Sequence, residues 1–402
     1  MGSAAQLLFP LITLWGLSAA AQAQTIWNVA SPNGIQATIQ AASPGDVILL
    51  VGNTIYEPFI LDRGLTIRGN GATIGSGPAS SGGSVTVTVP SGQLAHLDQI
   101  NFTYGYSPFG TVGCPVDLAG AVRIDRCAFL TTNGSTPLTL SNADVVIVSS
   151  TITCSGTTSS GTALLGFGSR VTLRDCVVTG SNAGCHPIAG CSWTFPARNA
   201  AEFTNCSLHA ERSSFMGGSH STSGFPGNGA NGLITTNCEV WLADGSVVGG
   251  NSVAGSGGTA FVHASTVTAE SWNNQMVAGA PGGGTSSGPV ATTTPLLRLQ
   301  LQPVWTRGLT SSLDLHGAPN VVFAVFLTPA RTSVPTPVAF EPIHAVGATA
   351  LFAGLLDPFG AGTQSVAVPN QAALLHAAVW CQAVAGSSLP LRASTIAGGL
   401  VR

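Results

Sequence analysis

The sequence predicts an all-β protein: a parallel β-helix of about eight coils, then a small β-sandwich. Three observations carry the prediction. The frame Val171-Thr-Leu-Arg-Asp-Cys-Val-Val178 recurs as Ala95–Phe102, Val122–Phe129, Val145–Ile152, Ala201–Leu208, Val240–Val247 and Ala260–Val267. The copies lie about 20 to 40 residues apart, which is solenoid spacing. Finally, only 7% of the 402 residues are charged, 44% are hydrophobic and 51 are glycine, a balance suited to a turn-rich β chain that can still fill a core.

The frame has a physical reading. Its first and third residues are apolar, as a strand with one buried face requires. The fifth is usually polar (Gln99, Arg126, Ser149, Asp175, Asn205, Asp244), where the chain turns a corner. The sixth and eighth are small or apolar again, so a second strand starts with its buried face reset. A third short strand precedes several copies: Val116–Leu118, Leu138–Leu140 and Leu165–Phe167. Three short strands without room for a helix make one coil, and only stacking buries its inner face. The sixth position then forms one inward row, Ile100, Cys127, Ser150, Cys176, Cys206, Gly245 and Ser265.

Taken in order, residues 1–23 read as a signal peptide: an apolar run from Leu7 to Leu17, then Ala21-Gln-Ala23 as a small-x-small cleavage site. No Lys or Arg precedes the run. It is too short to span a bilayer, and no other segment is long and apolar enough, so the mature chain is expected to be secreted or at the cell surface. Residues 24–278 hold the repeats. At their start, Ile35, Ile39 and Ala42 share one face of a short helix that would cap the open end of the core.

The succession Ile35-Gln-Ala-Thr-Ile-Gln-Ala-Ala42, Pro44-Gly-Asp46 and Leu65-Thr-Ile-Arg-Gly69 resembles the N-terminal coil of right-handed parallel β-helix proteins of the pectate-lyase-like superfamily. The resemblance covers residues 30 to 275 and implies a right-handed coil. It implies no single activity, because the superfamily spans lyases, hydrolases, esterases, epimerases, tail spikes and adhesins.

Two stretches break the repeat, Gly180–Ala200 (with His186, Trp193 and Phe195) and Ala210–Asn237 (with His220 and Phe225). Insertions in solenoids cluster on one face, so both are expected to lie near any ligand. Residues 279–295 have linker composition. Beyond them, 296–300, 312–316, 321–327, 364–368 and 377–383 read as strands of a β-sandwich over 296–402, loosely resembling C-terminal modules on secreted proteins of environmental bacteria.

Composition also excludes. A net charge of −3 argues against nucleic acid or an anionic membrane as partner. The chain contains no lysine, which rules out a lysine base or Schiff base. Without a CxxC pair a zinc site has no support, and no metal or other cofactor is expected. Of the nine cysteines, Cys127, Cys176 and Cys206 are expected as inward free thiols, and Cys185 with Cys191 is the candidate disulfide.

The second and fourth residues of the frame point outward. That makes Asp98 and Asp125 neighbours, about 4.8 Å apart, beside His96 and Arg123. Two carboxylates so close raise one pKa and make a candidate acid/nucleophile pair on a glycosidic bond; with Ca²⁺ they would instead hold a uronate while arginine takes a proton. The other reading is a solvated ion-pair patch, and Val146 and Val148 interrupt any longer acidic groove. The resembled superfamily's pectin hydrolases carry clustered Asp pairs, Gly-His-Gly and Arg-x-Lys, none of which occurs here. Trp241 and Phe261, read as outward neighbours, and Trp193 are the candidate sugar-stacking residues. The expectation is a β-helix that binds extracellular glycans or a cell-surface partner, or serves a structural or adhesive role, without turnover. The alternative is a polysaccharide lyase or glycoside hydrolase, and only the lyase would need calcium.

Overall fold

A computed structural model of the chain describes residues 24–75, 83–104, 116–131, 135–155, 161–185, 194–220, 227–292, 297–301, 304–328, 349–371, 374, 378–387, 391–394 and 397–401. The predicted signal peptide, 1–23, lies outside them. So do Trp193 and Cys191, and of Cys185 only the backbone is described. The expected Cys185–Cys191 disulfide and the expected sugar contact of Trp193 thus lie outside the described residues.

The predicted parallel β-helix is present. Each coil contributes a strand to three stacked columns. The first runs from Ile60–Leu61 through Val85–Thr88, Leu164–Phe167, Ala201–Thr204 and Phe261–Ala264 to Ser286–Ser287. The second runs from Ile26–Val29 through Ala95–Asp98, Arg170–Arg174 and Glu239–Ala243 to Val290–Thr292. The third is a nine-stranded sheet from Ile55–Tyr56 to Gln275–Val277, and the second column holds eleven strands, so the stack is longer than the repeat count predicts. Pairing is parallel and in register throughout the three columns, with one shift between Leu118 and Gly120. Inward residues fill one continuous core, with Phe102 and Phe129 stacked at 4.7 Å on successive coils.

The corner residues adopt the left-handed conformation, as a sharp turn between two strands demands. Gln99, Arg126, Ser149, Asp175, Arg212, Asp244 and Asn273 have φ between 46° and 56° and form one line up the stack. Asn142, Gly168, Asn205 and Asn237 form a second line, between the first and second columns. Side chains with a short polar arm tolerate this conformation best, which accounts for the asparagines and aspartates.

Two corner lines mean two inward rows, where the repeat frame gave one. Ile100, Cys127, Ser150, Cys176, Ser213 and Gly245 follow the first line; Ser169, Cys206 and Cys238 follow the second. These residues do more than fill space. Ser213 Oγ donates to the Glu211 carbonyl and accepts from the Cys176 amide of the preceding coil (3.0 and 3.2 Å). Cys238 does the same with sulfur, donating to the Thr236 carbonyl and accepting from the Cys206 amide (3.2 and 3.3 Å). A corner amide that leaves the ladder thus finds its acceptor one coil along. Burial pushes the Cys176 thiol up to about 11, so it stays protonated and inert. Ser213→Ala is expected to cost about 1–3 kcal/mol by orphaning the Cys176 amide, while Ser213→Cys keeps an acceptor and costs less than half as much. The urea unfolding midpoints of the two variants measure the difference.

The helix is Ile35–Ala41, with Ile35 and Ile39 buried, as its periodicity predicts. Asp46 holds it to the first strand by accepting from the amides of Thr25 and Ser43 and from Trp27 Nε1 (2.8, 2.9 and 3.0 Å).

Two sequence expectations change. Most of Ala210–Asn237 belongs to the solenoid: Ser207–Glu211, Ser214–Met216 and Leu233–Thr236 are stacked strands, and Leu208–Phe215 is itself a copy of the frame, in register with Val171 and Val240, that the overlapping copy Ala201–Leu208 conceals. The expected linker continues the solenoid, because Ser286–Ser287 and Val290–Thr292 add strands to the first and second columns. Two of its glycines, Gly279 and Gly283, are required by packing, since a Cβ on either would run into the backbone of Gly250 or Gly258. From Ser181 to Gly283 the coil walls meet in a backbone zigzag, in which Gly250 N–H donates to Ala230 O (2.7 Å) and Gly258 N–H to Gly250 O (2.8 Å), with no side chain between them.

Residues beyond 296 form two mainly antiparallel sheets around their own core, the predicted sandwich. One contains Arg298–Leu301, Thr310–His316 and Ala361–Ala367; the other includes Val322–Thr328, Thr349–Leu355, Ala378–Ala385 and Ala397–Val401. Thr349–Leu355 is an edge strand that the sequence pattern does not reveal. Trp380 packs on Val146 and Val148, and Arg174 Nη2 donates to the Leu299 carbonyl at 3.2 Å, so this module rests on the outward face of the second column.

Candidate functional site

The second column brings His96, Arg123, Asp98 and Asp125 together as the repeat predicts: His96 pairs with Arg123, and Asp98 with Asp125, on adjacent coils. Their environment differs from the solvated patch or open acid pair of the sequence reading. Asp98 is 1% exposed and Asp125 is 8% exposed. Asp125 Oδ2 accepts from His96 Nε2 and Arg123 Nε, both at 2.7 Å, and Oδ1 accepts from Arg123 Nη2 at 3.1 Å. Asp98 accepts from Arg68 Nε at 3.1 Å and from Arg126 Nη2 at 2.7 Å.

The expected pKa elevation is reversed at Asp125. Burial pushes its carboxyl up, but the His96 hydrogen bond and the Arg123 charge outweigh burial and hold it at about 2. Each carboxylate has its own cations, so neither needs to share a proton with the other. Asp125 therefore cannot supply the protonated carboxylic acid that glycosidic cleavage needs at neutral pH.

The proposed stacking aromatics also move. Phe261 is an inward core residue of the first column, not an outward neighbour of Trp241. Its copy of the frame is one residue out of step, and a one-residue slip reverses every side chain of a strand. Trp241 is outward but buried: the His209 ring lies 4.4 Å away, and Ala243 and Trp272 pack beside it.

The first column presents a different outward face, which the frame did not single out. Ser141, Phe167 and Thr204 are aligned on successive coils, with Thr236 next in line. Phe167 is 47% exposed. The parallel row contains Asp117, Thr139, Leu165 and Glu202. Burial raises the Asp117 pKa, opposed by a hydrogen bond with Thr139. Glu202 Oε1 accepts from Thr162 Oγ1 and Asn199 Nδ2, each at 2.7 Å. Three coil steps, about 14 Å, separate Asp117 from Glu202, beyond the roughly 5–9.5 Å of glycosidase carboxylate pairs. Phe167 was legible as the end of Leu165-Gly-Phe167, but its direction depended on the corner at Gly168.

A shallow depression of ≈ 440 Å³ lies at the corner between the second and third columns, lined by Asn70, Gly71, Gln99, Asn101 and Arg126. Among the described residues, no cluster of His, Cys, Asp or Glu is arranged to hold a metal ion, and no helix is long and apolar enough to cross a membrane.

No protein-family model and no curated protein matches the chain. A superoxide reductase (neelaredoxin) from Ignicoccus hospitalis is similar at 10% identity over 27% of this chain and 82% of that one, with a TM-score of 0.18. The A-module of a mannuronan C-5 epimerase from Azotobacter vinelandii is similar at 13% identity over 66% of this chain and 98% of that one, with a TM-score of 0.21. At these scores neither likeness says what this chain binds or does.

Proposed function

We propose that the protein is an exported or cell-surface β-helix that binds extracellular polysaccharide and does not cleave it. The observation that carries this reading is the outward face of the first column, where exposed Phe167 stands between Ser141 and Thr204 on neighbouring coils. A sugar ring is amphipathic: its C–H face rests on an aromatic ring while its hydroxyls reach flanking side-chain oxygens. The carboxylates best placed by sequence to act on a glycosidic bond, Asp98 and Asp125, are buried and committed to arginine and histidine. The lyase or hydrolase reading keeps one specific support, the raised pKa of Asp117, which suits a general acid.

The test is retention of the full chain on native gels containing polysaccharide. Phe167→Ala is expected to weaken retention about 2- to 12-fold, the equivalent of an aromatic contact of roughly 0.5–1.5 kcal/mol. Its thermal midpoint should hardly move, because the side chain is exposed. Unchanged retention on every polysaccharide bound by the parent would remove the face from consideration.

A further inference from the structure

We propose that the outward face of the third column is a second binding surface, separate from Phe167, for an extended chain of neutral polysaccharide lying along the helix axis. The proposal rests on the reading that this protein meets polysaccharide, and it assigns both a place and a ligand class.

Register puts Thr103, Leu130, Thr153, Thr179, Met216 and Val248 in one line across six successive coils. A parallel line two residues earlier runs from Thr73 to Gln275 through Asn101, Thr151 and Val177. No outward position of these strands, from Thr73 to Val277, carries a charge. The side chains are partly exposed, Val177, Met216 and Val277 each at 38%. Hydroxyl and amide groups are interspersed with apolar ones, a surface able to hydrogen-bond sugar hydroxyls and cover C–H groups.

Charge is confined to the rim. The corner line beside the strip carries Arg126, Asp175, Arg212 and Asp244, engaged with one another or with neighbours: Arg126 with Asp98, Arg212 with Asp175 (2.7 Å), and Asp244 with Asn273 (2.7 Å). An acidic polymer would find no cation on the strip, whereas a neutral one loses nothing by lying there. The first column, with Asp117 and Glu202 facing outward, offers no comparable stretch.

Dimensions choose between a polymer and a second copy of this chain. Eight strands at about 4.8 Å make the strip just under about 40 Å long, and two outward residues per strand make it about 10 Å wide with side chains. Roughly 400 Å² is half of the ~800 Å² that each partner buries in a stable protein interface. A long narrow uncharged surface rimmed by polar groups fits a linear chain. Asn101 joins the strip to the depression lined by Asn70, Gln99 and Arg126, which extends the hydrogen-bonding groups at its N-terminal end.

The experiment is affinity electrophoresis of the full chain in gels containing neutral polymers (hydroxyethyl cellulose, galactomannan, glucomannan) or acidic ones (polygalacturonate, alginate). The parent, Phe167→Ala and the double variant Thr153→Asp/Met216→Asp are compared, with sedimentation velocity in parallel. The expected result is retention by at least one neutral polymer, weakened tenfold or more in the double variant and persisting in Phe167→Ala. A folded double variant with unaltered retention overturns the strip; if Phe167→Ala abolishes that retention, the first-column reading survives alone. Retention by acidic polymers only overturns the ligand class. A parent that sediments as a dimer and a double variant that sediments as a monomer assign the strip to a second copy and overturn the proposal. No retention by any polymer overturns both readings.

Discussion

Gly250→Ala is expected to destabilise the stack by about 3 kcal/mol or more, at or beyond the upper end of ordinary overpacking. A Cβ at this position would lie 1.8 Å from the Gly218 carbonyl oxygen and 2.5 Å from its carbon. Both atoms belong to the backbone of the adjacent coil, so no rotamer change relieves the overlap. Relief requires parting the two coils, and that strains the zigzag in which Gly250 accepts from Gly258 and donates to Ala230. Gly284→Ala is the control, because its nearest neighbours are Thr259 side-chain atoms at 3.4–3.5 Å, ordinary contact. Urea unfolding should place Gly250→Ala well below the parent and Gly284→Ala close to it. Equal midpoints for the two variants would refute close backbone packing between Ser181 and Gly283.

Asp125→Ala is expected to cost about 3–5 kcal/mol, the price of breaking a buried ion pair by removing one partner. The Arg123 guanidinium stays buried without that carboxylate, and His96 loses its acceptor. Arg123→Met/Asp125→Leu should recover much of the loss, since removing both charges leaves less to desolvate. The acid limb of the stability profile follows from the same contacts. Asp125 titrates at about 2 in the folded chain against 3.8 in the unfolded one, so its contribution is complete above pH 3.8 and disappears as pH falls through 2. The shift corresponds to about 2 kcal/mol, lost between roughly pH 4 and 2 in the parent and missing from the acid limb of Asp125→Ala. A parent whose stability is flat across that window would show that Asp125 is not held as an ion pair.

The coil was legible because its signals are local. Apolar alternation marked the strands, and polar corner residues such as Arg126 and Asp175 marked turns that adopt positive φ. Register followed from spacing, so the neighbour relation of Asp98 and Asp125 could be read directly. The surroundings of those residues could not. Strand periodicity says whether a side chain faces in or out, but not what lies over it. Asp98, Asp125 and Trp241 point outward as predicted and are buried all the same, while on the same column Val146 is covered by Trp380, more than 200 residues along the chain. Phe261 failed for a different reason. Ala260 gave its frame an apolar first position, yet Phe261 and His263 take the inward places. The glycine-rich stretch near 279 misled because composition is the same for a flexible linker and for backbone packed too closely to admit a Cβ. The exposure of Phe167 depends on the turn at Gly168, which breaks the frame's polar-corner pattern.

The most direct test of polysaccharide binding without cleavage is product formation by the purified mature chain on the polymers that retain it. Unsaturated products and new reducing ends would be recorded with and without Ca²⁺, with the protein shown to be folded. The predicted result is retention with no product in either channel. Product that forms in the parent and vanishes in Asp117→Asn, with folding intact, would contradict the account and make the first-column face an active site.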